Sequence, residues 1–235
     1  MTTNVRPEDL NYSHYSTRKY DQDIARSIPG HKELHKKIGQ VLKAEFDSRS
    51  IKVLELGIGT GLTAKSILKH FPKAEYAGID FSRQMLDGAR KKLSKYRPTL
   101  ILGDYAIKDF PKNNDLIVSV IGVHHQKTDK DKKALFKKIF AALAPKGIFI
   151  FGDLVSFRNR KTAALNEALH FHALVENAKS KKSLAEWAFH HKFLNNPAPL
   201  EDQLGWLKQI GFENSVMFQK FNTALVICRK KKRPA

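Results

Sequence analysis

The apolar positions of this chain change period several times. From Lys52 onward, short runs rich in aliphatic and β-branched residues ("KVLELG", "AEYAGID", "TLILGD", "DLIVSVI", "GIFIFGD") alternate with stretches whose apolar residues recur every three or four positions. The runs predict strands. The stretches predict helices over 63–70, over 83–95 after the cap Ser82, and over 130–143, stopping at "APKG". In "DKDKKALFKKIFAAL" Leu135, Phe136, Ile139, Phe140 and Leu143 form one face, with the lysines on the other. Such alternation predicts a parallel sheet with helices on both faces.

After Asp153 the rhythm breaks. The polar and aromatic stretch 156–196 reads as helix without intervening strands, closed by "NNPAP". A helix over 200–210 follows, ended by Gly211. Two strands, "SVMFQKF" and "TALVICR", then flank Asn222 alone, a link too short for a parallel crossover. The expected fold is therefore α/β: a Rossmann-like seven-stranded mixed sheet of five parallel strands and a C-terminal antiparallel hairpin, with helices on both faces and a helical cap. The expected divisions are an N-terminal helical segment over 1–50, a core over 51–155 and 197–230, the cap over 156–196 and a basic tail over 231–235.

Composition narrows this picture. At 235 residues and 42% hydrophobic content the chain can bury the core of one domain. A single cysteine, Cys228, excludes an internal disulfide framework and fits a reducing compartment. No apolar run approaches the roughly 20 residues that span a bilayer, and "MTTNVRPEDLNYS" has no apolar signal core, so no membrane partner and a cytoplasmic location are expected. The net charge of +19 raises nucleic acid as a partner. Most lysines, however, are interleaved with apolar residues at helical spacing and read as solvated helix exteriors; only "RKKKRPA" is a concentrated basic block.

The stretch "KVLELGIGTGLTAKSIL" joins a strand, a glycine turn and a helix N-terminus, a construction that holds a nucleotide-like ligand against backbone amides. A dinucleotide turn wants a third glycine where Leu62 stands, and Glu55 would repel a pyrophosphate. S-adenosylmethionine, with a sulfonium, an ammonium and no phosphate, suits the acids better. Asp80 and Asp104 end the second and third strands. Asp80 stands near the spacing at which a carboxylate grips ribose hydroxyls, although an acid after a strand also reads as a helix cap.

With these motifs the chain resembles a class I S-adenosylmethionine-dependent methyltransferase over about 52–230. "VLELGIGTGLT" is similar to the first motif of that family, "YAGIDFSRQML" to its ribose and adenine segment, "LILGDY" to its adenine-side acid and "DLIVSVIGVHH" to its fourth strand; "LFKKIFAALAPKGIFIFGD" matches its following helix and fifth strand. The resemblance implies that Gly57, Gly59 and Gly61 line the methionine part and that Glu55 lies near its amino group. It implies further that Asp80 takes the ribose hydroxyls, Phe81 and Met85 pack on the adenine, Asp104 meets its amino group, Tyr105 lies beside the ring, and Val120 borders the site from the fourth strand. S-adenosylhomocysteine is the implied product.

Methyl transfer is an in-line displacement, so the protein chiefly aligns the reactants and excludes water, and a base is needed only when the nucleophile must lose a proton. Candidates are His124 and His125, after the fourth strand. Neighbours leaving a strand point to opposite sides, so at most one of them is expected to reach the acceptor, with His125 preferred; alternatively one packs against the cofactor and the other caps a loop. Asp153, ending the fifth strand, could orient an acceptor or cap a helix. His170 and His172 cannot face one ligand from a helix, and the chain has no H-E-x-x-H spacing, so no metal is expected. "HYSTRKYDQDIARSIPGH" resembles the opening helix of the family, which makes Tyr15, Tyr20 and Asp21 pocket candidates, Tyr20 foremost.

The leading function is methyl transfer to a small-molecule acceptor, with Phe157, Phe171, Trp187, Phe189 and Phe193 of the cap either closing a dry pocket or pinning the cap to the sheet. The alternative is an RNA-modifying enzyme. RNA methylation is favoured by charge, yet no appended RNA-binding module is visible and "SVIGVHHQ" stands where a base-flipping motif would lie. "IARSIPGH" and "FENSVMFQKFN" also resemble carboxy-S-adenosylmethionine synthases. That group uses an arginine after the fifth strand to hold the extra carboxylate, and none occurs over 161–220.

Overall fold

A computed structural model describes residues 17–46 and 50–231. Its strands are β1 (Lys52–Leu56), β2 (Glu75–Asp80), β3 (Thr99–Leu102), β4 (Asn114–Val120), β5 (Leu143–Leu154), β6 (Phe212–Lys220) and β7 (Thr223–Lys230). They form one sheet in the order β3-β2-β1-β4-β5-β7-β6. The pairs among β1 to β5 are parallel; β7 runs antiparallel to both β5 and β6. The expected seven-stranded mixed sheet is thus observed, and the last strand inserts beside β5 to leave β6 at the edge.

Alternation along each strand divides the core into two layers. Val53 of β1 joins Leu116, Val118 and Ile150 on one face, under α2 (His31–Glu45), α3 (Leu62–His70) and α4 (Arg83–Lys92). Leu54 and Leu56 join Ile117, Phe149 and Phe151 on the other, under α5 (Asp129–Ala142) and α8 (Leu200–Ile210). Burying large aliphatic side chains on both faces, at roughly 25 cal/mol per Å², is the main force that orders the sheet. Ser82 accepts from Met85 N–H at 3.3 Å to cap α4, as its sequence position predicts.

Two expectations need correction. The fifth strand begins at Leu143 and not at Gly147: α5 runs straight into it, and an added Cβ at Gly147 would meet the carbonyl oxygens of Ala144 and Asn114 at 2.9 Å. Lys132 is not on a solvated face. It is buried three residues before Leu135, and its Nζ donates to the Gln126 carbonyl. Its ammonium is held below the ordinary lysine range by burial.

Before the sheet, α1 (Thr17–Ser27) precedes α2, the two separated at Pro29 and Gly30, where φ is +75°. The stretch 156–196 contains α6 (Arg160–Asn177) and α7 (Lys181–Phe193), with α6 lying against both α1 and α7. Arg229 and Lys230 of the basic block belong to β7. Arg229 bonds Glu45, and Lys230 Nζ donates to the carbonyls of Phe140 and Leu143, both at 2.8 Å.

Candidate active site

The turn after β1 is locked by β2. The amides of Gly57 and Ile58 both donate to the Ile79 carbonyl, at 2.9 and 3.1 Å. Gly57, Gly59 and Gly61 have φ of +72°, +53° and +81°, a region that side chains disfavour. The three differ in surroundings. A Cβ on Gly61 would lie 2.9 Å from Leu93 Cδ1, so this glycine serves packing, whereas a Cβ on Gly59 would meet nothing within 4 Å among the described residues. Gly59 faces open space.

Asp80 braces this turn. Its Oδ2 accepts the Gly59 amide at 2.8 Å and its Oδ1 the Ser82 amide at 2.9 Å, joining the loops after β1 and β2. Burial pushes its carboxyl up to about 6 against the pull of those two amides. Glu55 has a partner that the sequence does not announce: Tyr76 of β2 donates its hydroxyl at 2.6 Å, and burial pushes the Glu55 carboxyl up to about 8. At neutral pH Glu55 is therefore mostly protonated until a cation reaches it.

Asp104 Oδ1 accepts the Ala106 amide at 2.7 Å, Met85 is buried, and Val120 is half-buried at the end of β4. Phe81 is also half-buried. Tyr105 follows in the turn after β3. Its buried ring reaches toward Gly57, 3.6 Å from where a Cβ there would stand, and its hydroxyl donates to the Gly122 carbonyl at 2.7 Å, because the turn after β3 aims it under the ends of β1 and β4.

The N-terminal helix closes onto the glycine turn. Asp21 of α1 accepts from the Thr60 hydroxyl inside the turn and from Lys92 Nζ at 2.5 Å; Lys92 also reaches Thr60 Oγ1 at 3.0 Å. Tyr20, one position earlier, lines a cavity of about 590 Å³. Tyr15 lies outside the described residues.

That cavity lies beside the ends of β4 and β5. Ile121, a β-branched residue at φ +53°, turns the chain and donates its amide to Gly152 O at 2.7 Å. A 3-10 turn over Val123–His125 follows. The expectation that the two histidines point to opposite sides fails here, because a 3-10 turn rotates successive side chains by about a third of a circle where a strand alternates them. Both rings line the cavity, with centroids 4.0 Å apart.

His124 is held by Asp153. Its backbone amide donates to Oδ2 at 2.9 Å and its ring Nδ1 contacts Oδ1, which also accepts the Leu154 amide at 2.8 Å. Both residues are almost fully buried. A carboxylate on Nδ1 fixes the tautomer and leaves Nε2 as the basic nitrogen. His125 Nδ1 donates to the Leu194 carbonyl at 3.2 Å, and burial, then the neighbouring His124 and His190, hold this ring well below the usual histidine range. His170, His190 and His191 complete the histidine wall; burial lowers His170 and His190 to about 4. Among the described residues no group of three or more His, Cys, Asp or Glu is placed to hold a metal ion. No helix among them is long and apolar enough to cross a membrane.

Residues 53–147 match the methyltransferase domain family. With that domain and the seven-stranded sheet, the chain is similar to the class I S-adenosylmethionine-dependent methyltransferases. It is 24% identical over 229 residues to the carboxy-S-adenosyl-L-methionine synthase of Shewanella piezotolerans, covering 94% of this chain and 93% of the relative. It is 30% identical over 139 residues to the malonyl-[acyl-carrier protein] O-methyltransferase of Priestia megaterium, covering 59% and 47%. In fold it is similar to the plantazolicin methyltransferase BpumL, solved with a triazolic desmethylPZN analog and S-adenosylhomocysteine: TM-score 0.69, 15% identity, 94% and 93% covered.

These likenesses support an enzyme that uses S-adenosylmethionine. The glycine turn leaves room for that group, since among the described residues open space lies beyond Gly59, whose amide bonds the Asp80 carboxyl, while Glu55 is buried against Tyr76. The sequence reading missed the Glu55–Tyr76 bond and the polar wall that α7 contributes to the cavity. The alternation of apolar residues in "EYAGID" puts Tyr76 on the Val53 face of the sheet, so spacing could have found the former. Nothing local could have found the latter.

Proposed function

We propose that this methyltransferase moves the methyl group of S-adenosylmethionine to a small-molecule acceptor held in the cavity beside His124. Adjacency carries the reading. β1, whose end forms the glycine turn, pairs with β4, whose end leads to His124, so the two sites open side by side where the strand order reverses. In this reading Gly57, Gly59 and Gly61 hold the methionine part, Glu55 answers its ammonium, and Asp80 takes the ribose. Phe81, Met85 and Asp104 meet the adenine, with Tyr105 and Val120 behind the methyl group. Residues 156–196, with α1, form the cap.

When bound, the cofactor supplies a carbon activated for displacement by the adjoining sulfonium. His124, oriented by Asp153, takes the proton of the acceptor at Nε2. Tyr20 and His125 orient the acceptor, and the aromatic wall keeps water out. Such a base contributes about 10²–10⁴-fold in rate. The test is calorimetric titration with S-adenosylhomocysteine, followed by assay of its formation from S-adenosylmethionine with pooled metabolites and with RNA. Tight binding and metabolite-dependent turnover that is lost in His124→Ala support the reading. Turnover only with RNA, through salt-sensitive binding, overturns it.

A second reading, carboxy-S-adenosylmethionine synthesis, is favoured by the nearly full-length match to those synthases. Against it, among the described residues no arginine lines the cavity, and Arg158 bonds Asp202 at the surface at 2.7 Å. Mass spectrometry of cofactor released from the purified protein separates the two, since the synthase product is heavier by one carbon dioxide.

A further inference from the structure

The cavity beside His124 collects unsatisfied polar atoms. Among the described residues six buried side-chain atoms have no hydrogen-bond partner, and four of them belong to residues lining this space: Asp23 Oδ2, Trp187 Nε1, His191 Nδ1 and Asn195 Oδ1. Trp187 and His191, more than nine-tenths buried, stand one turn apart on α7 and so face the same way. Buried polar atoms without partners are rare and costly, so their gathering around one void marks where ligand atoms belong.

Their chemistry is uneven. Asp23 and Asn195 offer oxygens that accept. His191 carries its proton on Nε2, which contacts the Glu167 carboxylate at 2.8 Å, and this leaves Nδ1 as a bare acceptor. Trp187 alone donates. Three acceptors, one from a carboxyl group, face one donor. Burial, with some help from Glu186, raises the Asp23 carboxyl above its ordinary range against the pull of Lys19, Arg26 and Lys179, and a cation in the cavity would lower it further. Two lysines also line the space, but both are exposed, and Lys19, one turn before Asp23, does not bond Oδ2. The remaining lining adds a second carboxylate, Glu186, with Ser27 and the histidines, beside apolar and aromatic residues such as Ile24, Leu154, Leu174 and Tyr20.

From this donor and acceptor balance the geometry points to an amine with an apolar or aromatic body as the methyl acceptor, its nitrogen held among Asp23, Asn195 and His191. The inference rests on the methyl-transfer reading and names its substrate class. The ammonium form gives one proton to His124 Nε2, which passes it to solvent. The freed lone pair forms the new C–N bond as the C–S bond breaks and its electron pair stays on sulfur. A methylated ammonium and the neutral thioether S-adenosylhomocysteine result, and no further reactant is needed.

The experiment uses the full chain saturated with S-adenosylhomocysteine and titrates phenethylamine, tryptamine and cyclohexylmethylamine, each beside its matched alcohol and carboxylate. The amines should bind about tenfold or more tightly than their partners, and Asp23→Asn should weaken them by a similar factor while leaving S-adenosylhomocysteine affinity and the melting temperature unchanged. Trp187→Phe, which keeps the ring and removes the donor, should alter amine affinity far less than Asp23→Asn. Equal or tighter binding of alcohols or carboxylates, an unaffected Asp23→Asn, or a saturated protein that binds none of the probes would overturn the amine assignment. Failure to bind S-adenosylhomocysteine at all would instead overturn the methyl-transfer reading.

Discussion

His124 presents two donors to one carboxylate: its backbone amide lies 2.9 Å from Asp153 Oδ2, and its ring nitrogen Nδ1 meets Oδ1 of the same residue. The ends of β4 and β5 are thereby tied together, and the imidazole is held in one orientation and one tautomer. Asp153→Asn should lower kcat about 100-fold or more by presenting an amide to Nδ1, while S-adenosylhomocysteine affinity stays within a factor of about two. The same variant should lose about 1–3 kcal/mol of stability, because buried donors lose a charged acceptor. Steady-state kinetics and chemical denaturation check the two effects.

Asp80 connects the loops after β1 and β2 through the amides of Gly59 and Ser82. Asp80→Ala should weaken cofactor binding by about 1–3 kcal/mol, through loss of the ribose contact and of the brace on Gly59. Calorimetry with S-adenosylhomocysteine measures it, and an unchanged dissociation constant would contradict the ribose assignment.

Glu55 makes folding stability depend on pH. Its carboxyl is raised from 4.5 to about 8 in the folded chain, chiefly by burial. Between those values the native state binds more protons than the unfolded state. The stability contribution is full below about pH 4.5 and is lost as pH rises toward 8, at up to about 1.4 kcal/mol per pH unit. Glu55→Gln, which can still accept from Tyr76, should flatten this slope and exceed the parent chain in stability at pH 9. For the same reason, cofactor binding at pH 7 should release protons, which calorimetry in buffers of different ionisation enthalpy would read.

The glycines of the turn should separate by function. Gly61→Ala forces a Cβ to 2.9 Å from Leu93 at φ +81° and should cost about 1–3 kcal/mol of stability. Gly59→Ala meets no atom of the described residues and should act more strongly on S-adenosylhomocysteine affinity than on the melting temperature. Equal effects on both quantities in both variants would show that Gly59 does not border the cofactor.

The cofactor side of the molecule was readable because its chemistry is local. "LELGIGTGL" places an acid, three glycines and a helix start within one turn of chain, and Asp80 and Asp104 each end a strand whose alternation is plain. Lys132 was legible too, since it stands three residues before Leu135 on the buried face, but its charge argued for solvent. His124 and His125 show the opposite case. The sequence placed them after β4, yet whether they diverge or share a wall depends on Ile121 turning at φ +53° and on a 3-10 turn, which neighbour contacts decide.

What the residues determined alone is the strand and helix order, the two-sided burial of the sheet and the glycine turn with its acids, since these follow from periodicity and backbone sterics within a few positions. Tertiary structure alone decided the cavity beside His124. Asp23, Asp153, Trp187 and His191 are up to 168 positions apart, and no local rule relates them. They converge because α6 packs against both α1 and α7 beside the ends of β4 and β5, and only that packing determines which polar atoms are buried without a partner.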